Sequence, residues 1–119
     1  MSRLGLGRRG EQLAAQYLEE RGLVVVDRNV RTSQGELDIV AREGEELVFV
    51  EVKTRQGDDE TAPDVAVTAT KLERLERLAE AYLAERGLTE IAWRIDVIGI
   101  VVNRSGQVVR LDDLTGAFV

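Results

Sequence analysis

Apolar positions follow two rhythms along this chain, and the rhythms change at glycines. Over residues 7–21, Leu13, Ala14, Tyr17 and Leu18 fall at helical spacing, and Gly22 supplies a stop. The run Leu23-Val24-Val25-Val26 opens a β-branched stretch to Val30, which predicts a strand. Beyond Gln34-Gly35, residues 36–42 alternate, with Leu37, Ile39 and Ala41 on one face and Glu36, Asp38 and Val40 on the other. After the turn Glu43-Gly44-Glu45-Glu46, Leu47 to Thr54 is apolar at nearly every position until Glu51. A loop from Arg55 to about Ala66 holds the only proline, Pro63. Leu72, Leu75, Ala79, Tyr82 and Leu83 then form one stripe, which predicts a helix over residues 68–86 ending at Gly87. Two strands close the chain, residues 91–102 and 107–111, joined by Asn103-Arg104-Ser105-Gly106. No repeat or linker interrupts this order. It predicts one α/β domain over residues 1–119, a mixed sheet of about five strands flanked by helices.

The central hairpin carries the first chemical expectation. Its turn is even in length however it is counted, so Arg42 faces Leu47, Val40 faces Phe49, Asp38 faces Glu51 and Glu36 faces Lys53. Opposed side chains in such a ladder have Cβ atoms about 5 Å apart. The strand Leu47-Val48-Phe49-Val50 is apolar on both faces and belongs in the middle of the sheet. Asp38 and Glu51 therefore meet where a central strand leaves the core. Two like charges there repel and lose hydration, and a divalent cation offsets both costs. Magnesium suits the place, because it takes one or two carboxylates and keeps several waters. Such an ion polarises a phosphate oxygen and acidifies a bound water, and Lys53 is placed to orient that water or steady the developing charge. The bare tripeptide Glu51-Val52-Lys53 is common, and alone it marks a solvated strand end.

Composition narrows the field. Apolar residues make up 44% of 119, enough for a packed core. There is no cysteine and no histidine, so thiolate and imidazole metal sites, disulfides and Ser-His-Asp catalysis are all excluded. No apolar run approaches the roughly 20 residues of a membrane span. The start Met1-Ser2-Arg3-Leu4-Gly5 has no signal-like segment, so a cytoplasmic protein without a membrane partner is expected. The net charge of -6 argues against a polyanionic ligand, but residues 1–31 carry six arginines against four acids. Of the 16 basic residues only Lys53 and Lys71 are lysine, a choice that favours a compact ammonium at those two places.

Several segments together resemble a known family. They are Gly35-Glu36-Leu37-Asp38-Ile39-Val40, then Phe49-Val50-Glu51-Val52-Lys53-Thr54-Arg55, preceded by Gly10-Glu11 with Ala14, Ala15, Tyr17 and Leu18, and by Arg28-Asn29 with Arg31. Ala66-Val67-Thr68 with Lys71, and Arg94-Ile95-Asp96-Val97, extend the match. The chain closely resembles the YraN-like family, uncharacterised bacterial proteins assigned to the PD-(D/E)xK nuclease superfamily and closest to Holliday-junction resolvases. The resemblance implies a restriction-endonuclease-like fold and cleavage of DNA phosphodiester bonds with Mg2+ or Mn2+. On it, Asp38 and Glu51 look like the acidic metal ligands and Lys53 like the catalytic lysine. Glu11 matches a helical glutamate beside the metal, and Lys71 a basic position suited to a phosphate. Leu37 stands where the superfamily's name has proline. DNA is the expected partner ahead of RNA, in branched or structured form, with Arg8, Arg31 and Arg55 as further phosphate contacts. Because two strands are cut symmetrically, a homodimer fits as well.

Plainer readings stand beside these. Glu11 also suits the first turn of a helix, where the macrodipole favours a carboxylate. Lys71 also begins a charged face with Glu73, Arg74, Glu76 and Arg77, and such runs are usually solvated. Arg28, Arg31 and Arg55 are equally ordinary surface residues. Asp96 reads as structural, Tyr17 and Tyr82 as core, and Trp93 as core or an interface anchor. The rival function is a non-cutting nucleic-acid-binding or adaptor module on the same fold. A nuclease of RNA or of single-stranded ends is a third.

Overall fold

The structure, a computed structural model describing residues 2–59, 61, 63 and 65–117, has the expected order. It runs α1 (Arg3–Glu20), β1 (Val24–Thr32), β2 (Gly35–Glu43), β3 (Glu46–Gln56), α2 (Ala69–Glu85), β4 (Trp93–Val102) and β5 (Val108–Leu114). Residues 60, 62 and 64 of the expected loop, and residues 1, 118 and 119 of the expected domain, lie outside the described residues. Arg55 and Gln56, expected in that loop, continue the strand.

Local chemistry explains the helix ends. The Ser2 hydroxyl accepts from the Gly5 N–H at 3.0 Å and starts α1 a full turn before the expected Gly7. Thr68 does the same for the Lys71 N–H at 3.2 Å and starts α2. Gly22 and Gly87 follow the two helices with φ of 90° and 63°, and the amides of Leu23 and Leu88 return to Leu18 and Leu83.

The sheet runs β1-β2-β3-β4-β5 in space, with only the β3–β4 pair parallel. β3 is central, as its two apolar faces require. Leu13, Ala14, Ala15 and Leu18 of α1 pack on Ile39, Ala41, Val48, Val50, Ile98 and Ile100. Leu75, Leu78, Ala79 and Tyr82 of α2 cover Val40, Leu47, Phe49, Ile95 and Val97 on the other side. Tyr82 and Trp93 both stand edge-on to the Phe49 ring, at 5.5 and 5.8 Å between centroids. Among the described residues no helix is long and apolar enough to cross a membrane.

Two departures from a regular sandwich bear on the site. Leu37 was expected beside Ile39 and Ala41, yet it packs on the α2 side with Val30 and Val40. At the same level of the neighbouring strand Asn29, between Arg28 (paired with Ile39) and Val30 (paired with Leu37), sits at φ 52°. A left-handed residue inside a strand turns the pleat over, and Asn tolerates that conformation better than most. The second departure is a close approach. A Cβ on Gly10 would lie 1.8 Å from Thr54 Oγ1, so only glycine lets α1 come this near β3.

Candidate active site

The hairpin ladder holds its expected register from Arg42–Leu47 and Val40–Phe49 to Ile39–Val50, and there it ends. The next expected pairs, Asp38–Glu51 and Glu36–Lys53, are not ladder pairs; the strands part at this point instead. Asp38 fills the opening. Its Oδ2 accepts the Val52 N–H at 2.8 Å, so a side chain replaces a backbone acceptor. Its carboxyl also meets that of Glu51 within hydrogen-bonding reach. Two acids this close share a proton more readily than they carry two charges. Burial first, then the charges of Glu51 and Glu11 and the bond to Glu51, push Asp38 up to about 7, against the pull of the Val52 amide.

Glu11 completes the acidic group from above. The helix begins at Arg3, so Glu11 lies two turns inside it and the first-turn macrodipole explanation falls away. The Gly10–Thr54 contact brings this part of α1 down onto β3. Burial raises the Glu11 carboxyl, opposed by the Arg28 charge and by the Asn29 side-chain amide, while Glu36 adds to the rise. Arg28 Nε stands 3.9 Å from Glu11 Oε1, too far for a hydrogen bond. That oxygen is buried with no hydrogen-bond partner among the described residues. A buried carboxylate oxygen without a donor is costly, and a cation or an ordered water would satisfy it.

These acids face an open groove of about 600 Å³ on the α1 side. Glu11, Glu36 and Asp38 line its floor, and Arg3 and Arg8 its wall. Glu51 reaches Asp38 from the α2 side, where it lines a small cavity with Lys53, Lys71 and Arg74. Arg74 Nη2 holds Glu51 Oε2 at 2.8 Å. Thus Glu11 and Asp38 share the groove with Arg8 beside them, while Glu51 meets Asp38 from the opposite face with Lys53 and Lys71 beside it. Arg31 and Arg55 are not gathered in. Arg31 is exposed and pairs with Glu36 at 3.8 Å, and Arg55 is tied to the loop through the Thr61 carbonyl at 2.9 Å.

No set of three or more metal-ligating side chains among the described residues forms a ready cage. Two meeting carboxylates and the vacant oxygen of Glu11 nevertheless fit a hard cation that keeps most of its waters, which is how magnesium binds. Arg3, Asn29, Glu36 and Arg74 were not singled out as site residues from the sequence. Arg74 had a legible signal, since it follows Lys71 at helical spacing.

Elsewhere the structural readings hold. Asp96 is buried and takes Arg94 Nε at 3.1 Å and the Gly116 N–H at 2.8 Å, while Arg94 also holds Glu43 and Glu46. Tyr82 is core, and Tyr17 lies at its edge with its hydroxyl donating to Asp113 Oδ2 at 3.0 Å.

A model of Uncharacterised protein family UPF0102 matches residues 10–100, most of the chain. The chain belongs to that family. A UPF0102 protein of Syntrophotalea carbinolica is 49% identical over 116 residues, covering 98% of this chain and 93% of that relative. One from Arthrobacter sp. is 48% identical, covering 93% of each chain. One from Dictyoglomus turgidum is 36% identical over 99% of this chain and the whole relative. The UPF0102 match takes in Glu11, Asp38, Glu51, Lys53 and Lys71, whereas Arg3 and Arg8 precede it.

Proposed function

We propose that this protein is a metal-dependent nuclease that binds branched or structured DNA and hydrolyses its phosphodiester bonds. The observation that carries the reading is the meeting of Asp38 and Glu51 at the point where the central hairpin splits, with the vacant Glu11 oxygen beside them. Asp38 and Glu51 meet at a cost to their charged forms, and Glu11 adds a buried oxygen without a donor, costs that a bound cation would offset.

Asp38 and Glu51, with Glu11, would hold magnesium or manganese. Bound there, the ion would supply Lewis acidity toward a phosphate oxygen and a water acidic enough to attack. The chain's own groups do the remainder. Val52 N–H fixes the Asp38 carboxylate, and the packed β3 strand fixes Glu51 beside it. Lys53 supplies a positive charge next to Glu51 for the developing phosphate charge. Arg8 and Lys71 hold the flanking backbone as point charges. The UPF0102 description names no activity, so the reading rests on the site's chemistry and on the resemblance to resolvase-like nucleases.

Incubation with four-way junctions, flaps, duplexes and RNA in magnesium or manganese tests it. Cleavage of a branched DNA is expected, and Asp38→Ala should lower it by at least about 100-fold while the chain stays folded. If Asp38→Ala cuts as fast as the parent, the site is misassigned. If no substrate is cut while DNA is still bound, the non-cutting adaptor takes its place.

A further inference from the structure

Glu51 already has a cation. Arg74 reaches it from α2 with Nη2 2.8 Å from Oε2, the shortest tie between a base and the carboxylates of the site. The glutamate side chain is largely buried at 16% exposure, while the arginine remains 44% exposed. The carboxylate is thus the more buried member of the pair and the guanidinium the more exposed. Lys71 lies three residues earlier on the same face of α2, and with Lys53 it lines the cavity that Glu51 and Arg74 share. Neither lysine's ammonium has a hydrogen bond or ion pair among the described residues. Three cations therefore crowd one side of a single carboxylate.

A divalent ion brought between Asp38 and Glu51 meets this guanidinium as a like charge a few ångströms away. Both cannot hold Glu51 fully. A phosphate arriving with the ion offers the guanidinium a better partner, because its planar fork matches phosphate oxygens two at a time. We propose that Arg74 is a positioning residue that neutralises Glu51 in the metal-free protein, gives it up to the divalent cation, and then joins Lys53 and Lys71 in holding a DNA phosphate. This rests on the metal-site reading above. The contrary arrangement is a fixed brace, in which Arg74 keeps one oxygen of Glu51 and aims the other at the ion. The two arrangements predict opposite signs.

Calorimetric titration of the full chain with magnesium at mildly alkaline pH separates them. If exchange is right, Arg74→Gln binds magnesium about five-fold tighter than the parent, since it no longer displaces an ion pair. Arg74→Lys, whose point charge grips Glu51 less firmly, falls between and serves if the glutamine variant folds poorly. The same variant should bind a labelled four-way DNA junction in calcium about ten-fold more weakly, with a salt slope reduced by about one. Weaker or unchanged magnesium binding by Arg74→Gln overturns the exchange and leaves a brace or a bystander. Unchanged junction binding overturns the second half. A parent protein that shows no magnesium binding at all fails at the earlier step and removes the metal site itself.

Discussion

A carboxyl held inside a fold keeps its proton to higher pH, and Asp38 is such a carboxyl. Its ordinary value is 3.8, and here it is about 7. Between those values the folded chain holds a proton that the unfolded chain has released. The contribution of Asp38 to the stability of the metal-free protein is therefore full below the lower value and is lost as pH climbs through the upper one. The shift is worth on the order of 3 kcal/mol, after allowing for the proton's sharing with Glu51. Glu11, also raised, adds in the same direction. Urea midpoints of the metal-free protein should fall from about pH 4 to about pH 7, and Asp38→Asn should flatten the fall. Magnesium bound as proposed would compete with that proton, so its stabilising effect should be slight in acid and full above neutrality. A metal-free midpoint that holds steady across this range would mean Asp38 is not buried against Glu51.

At the scale of elements, one glycine sets the height of the site's roof. Gly10 lets α1 touch β3 at Thr54, and Glu11 follows it down toward Asp38. In Gly10→Ala the added methyl meets Thr54 Oγ1, Cβ and Cγ2 at 1.8, 2.8 and 2.9 Å, so the helix must lift. A loss of about 1–3 kcal/mol is expected on thermal melting, with magnesium binding weakened in parallel. Thr54→Ala removes two of the three clashing atoms and should restore part of both. Magnesium affinity untouched in a destabilised Gly10→Ala would place Glu11 outside the metal site. The elements themselves were legible in the sequence because each carries its own period. Valine runs betray β1 and β3, leucine stripes betray the helices, and an even turn fixes the register as far as Val40–Phe49. Two things were not legible. The start of α1 hides behind Gly5 and Gly7, which weaken the helical pattern although Ser2 caps it. The reversal at Asn29 hides because regular alternation of Leu37, Ile39 and Ala41 looks like an unbroken pleat. Turn length carries the register as far as Ile39–Val50, and beyond it Asp38 binds the Val52 amide instead of pairing with Glu51 in the ladder.

On the scale of the whole molecule, a chain of net charge -6 that binds DNA as proposed would meet it on a small area. Arg8 stands on one side of the acid group, and Lys53 and Lys71 on the other. Arg31 is paired with Glu36 of the groove, and Arg55 is tied to the Thr61 carbonyl. Few phosphates would therefore be neutralised, and the surrounding acids would repel the rest of a duplex. Each neutralised phosphate contributes about -0.9 to the slope of log affinity against log salt. Three or four contacts predict a slope of about -3 for junction binding at constant calcium. Arg8→Ala and Lys71→Ala should each make it shallower by about one, whereas Arg31→Ala should leave it unchanged. A slope of about -6 or steeper would demand more phosphate contacts than Arg8, Lys53, Lys71 and Arg74 supply, and would point to DNA bridging two copies. A slope near zero would mean that the lysines serve the protein's own acids rather than a phosphate backbone.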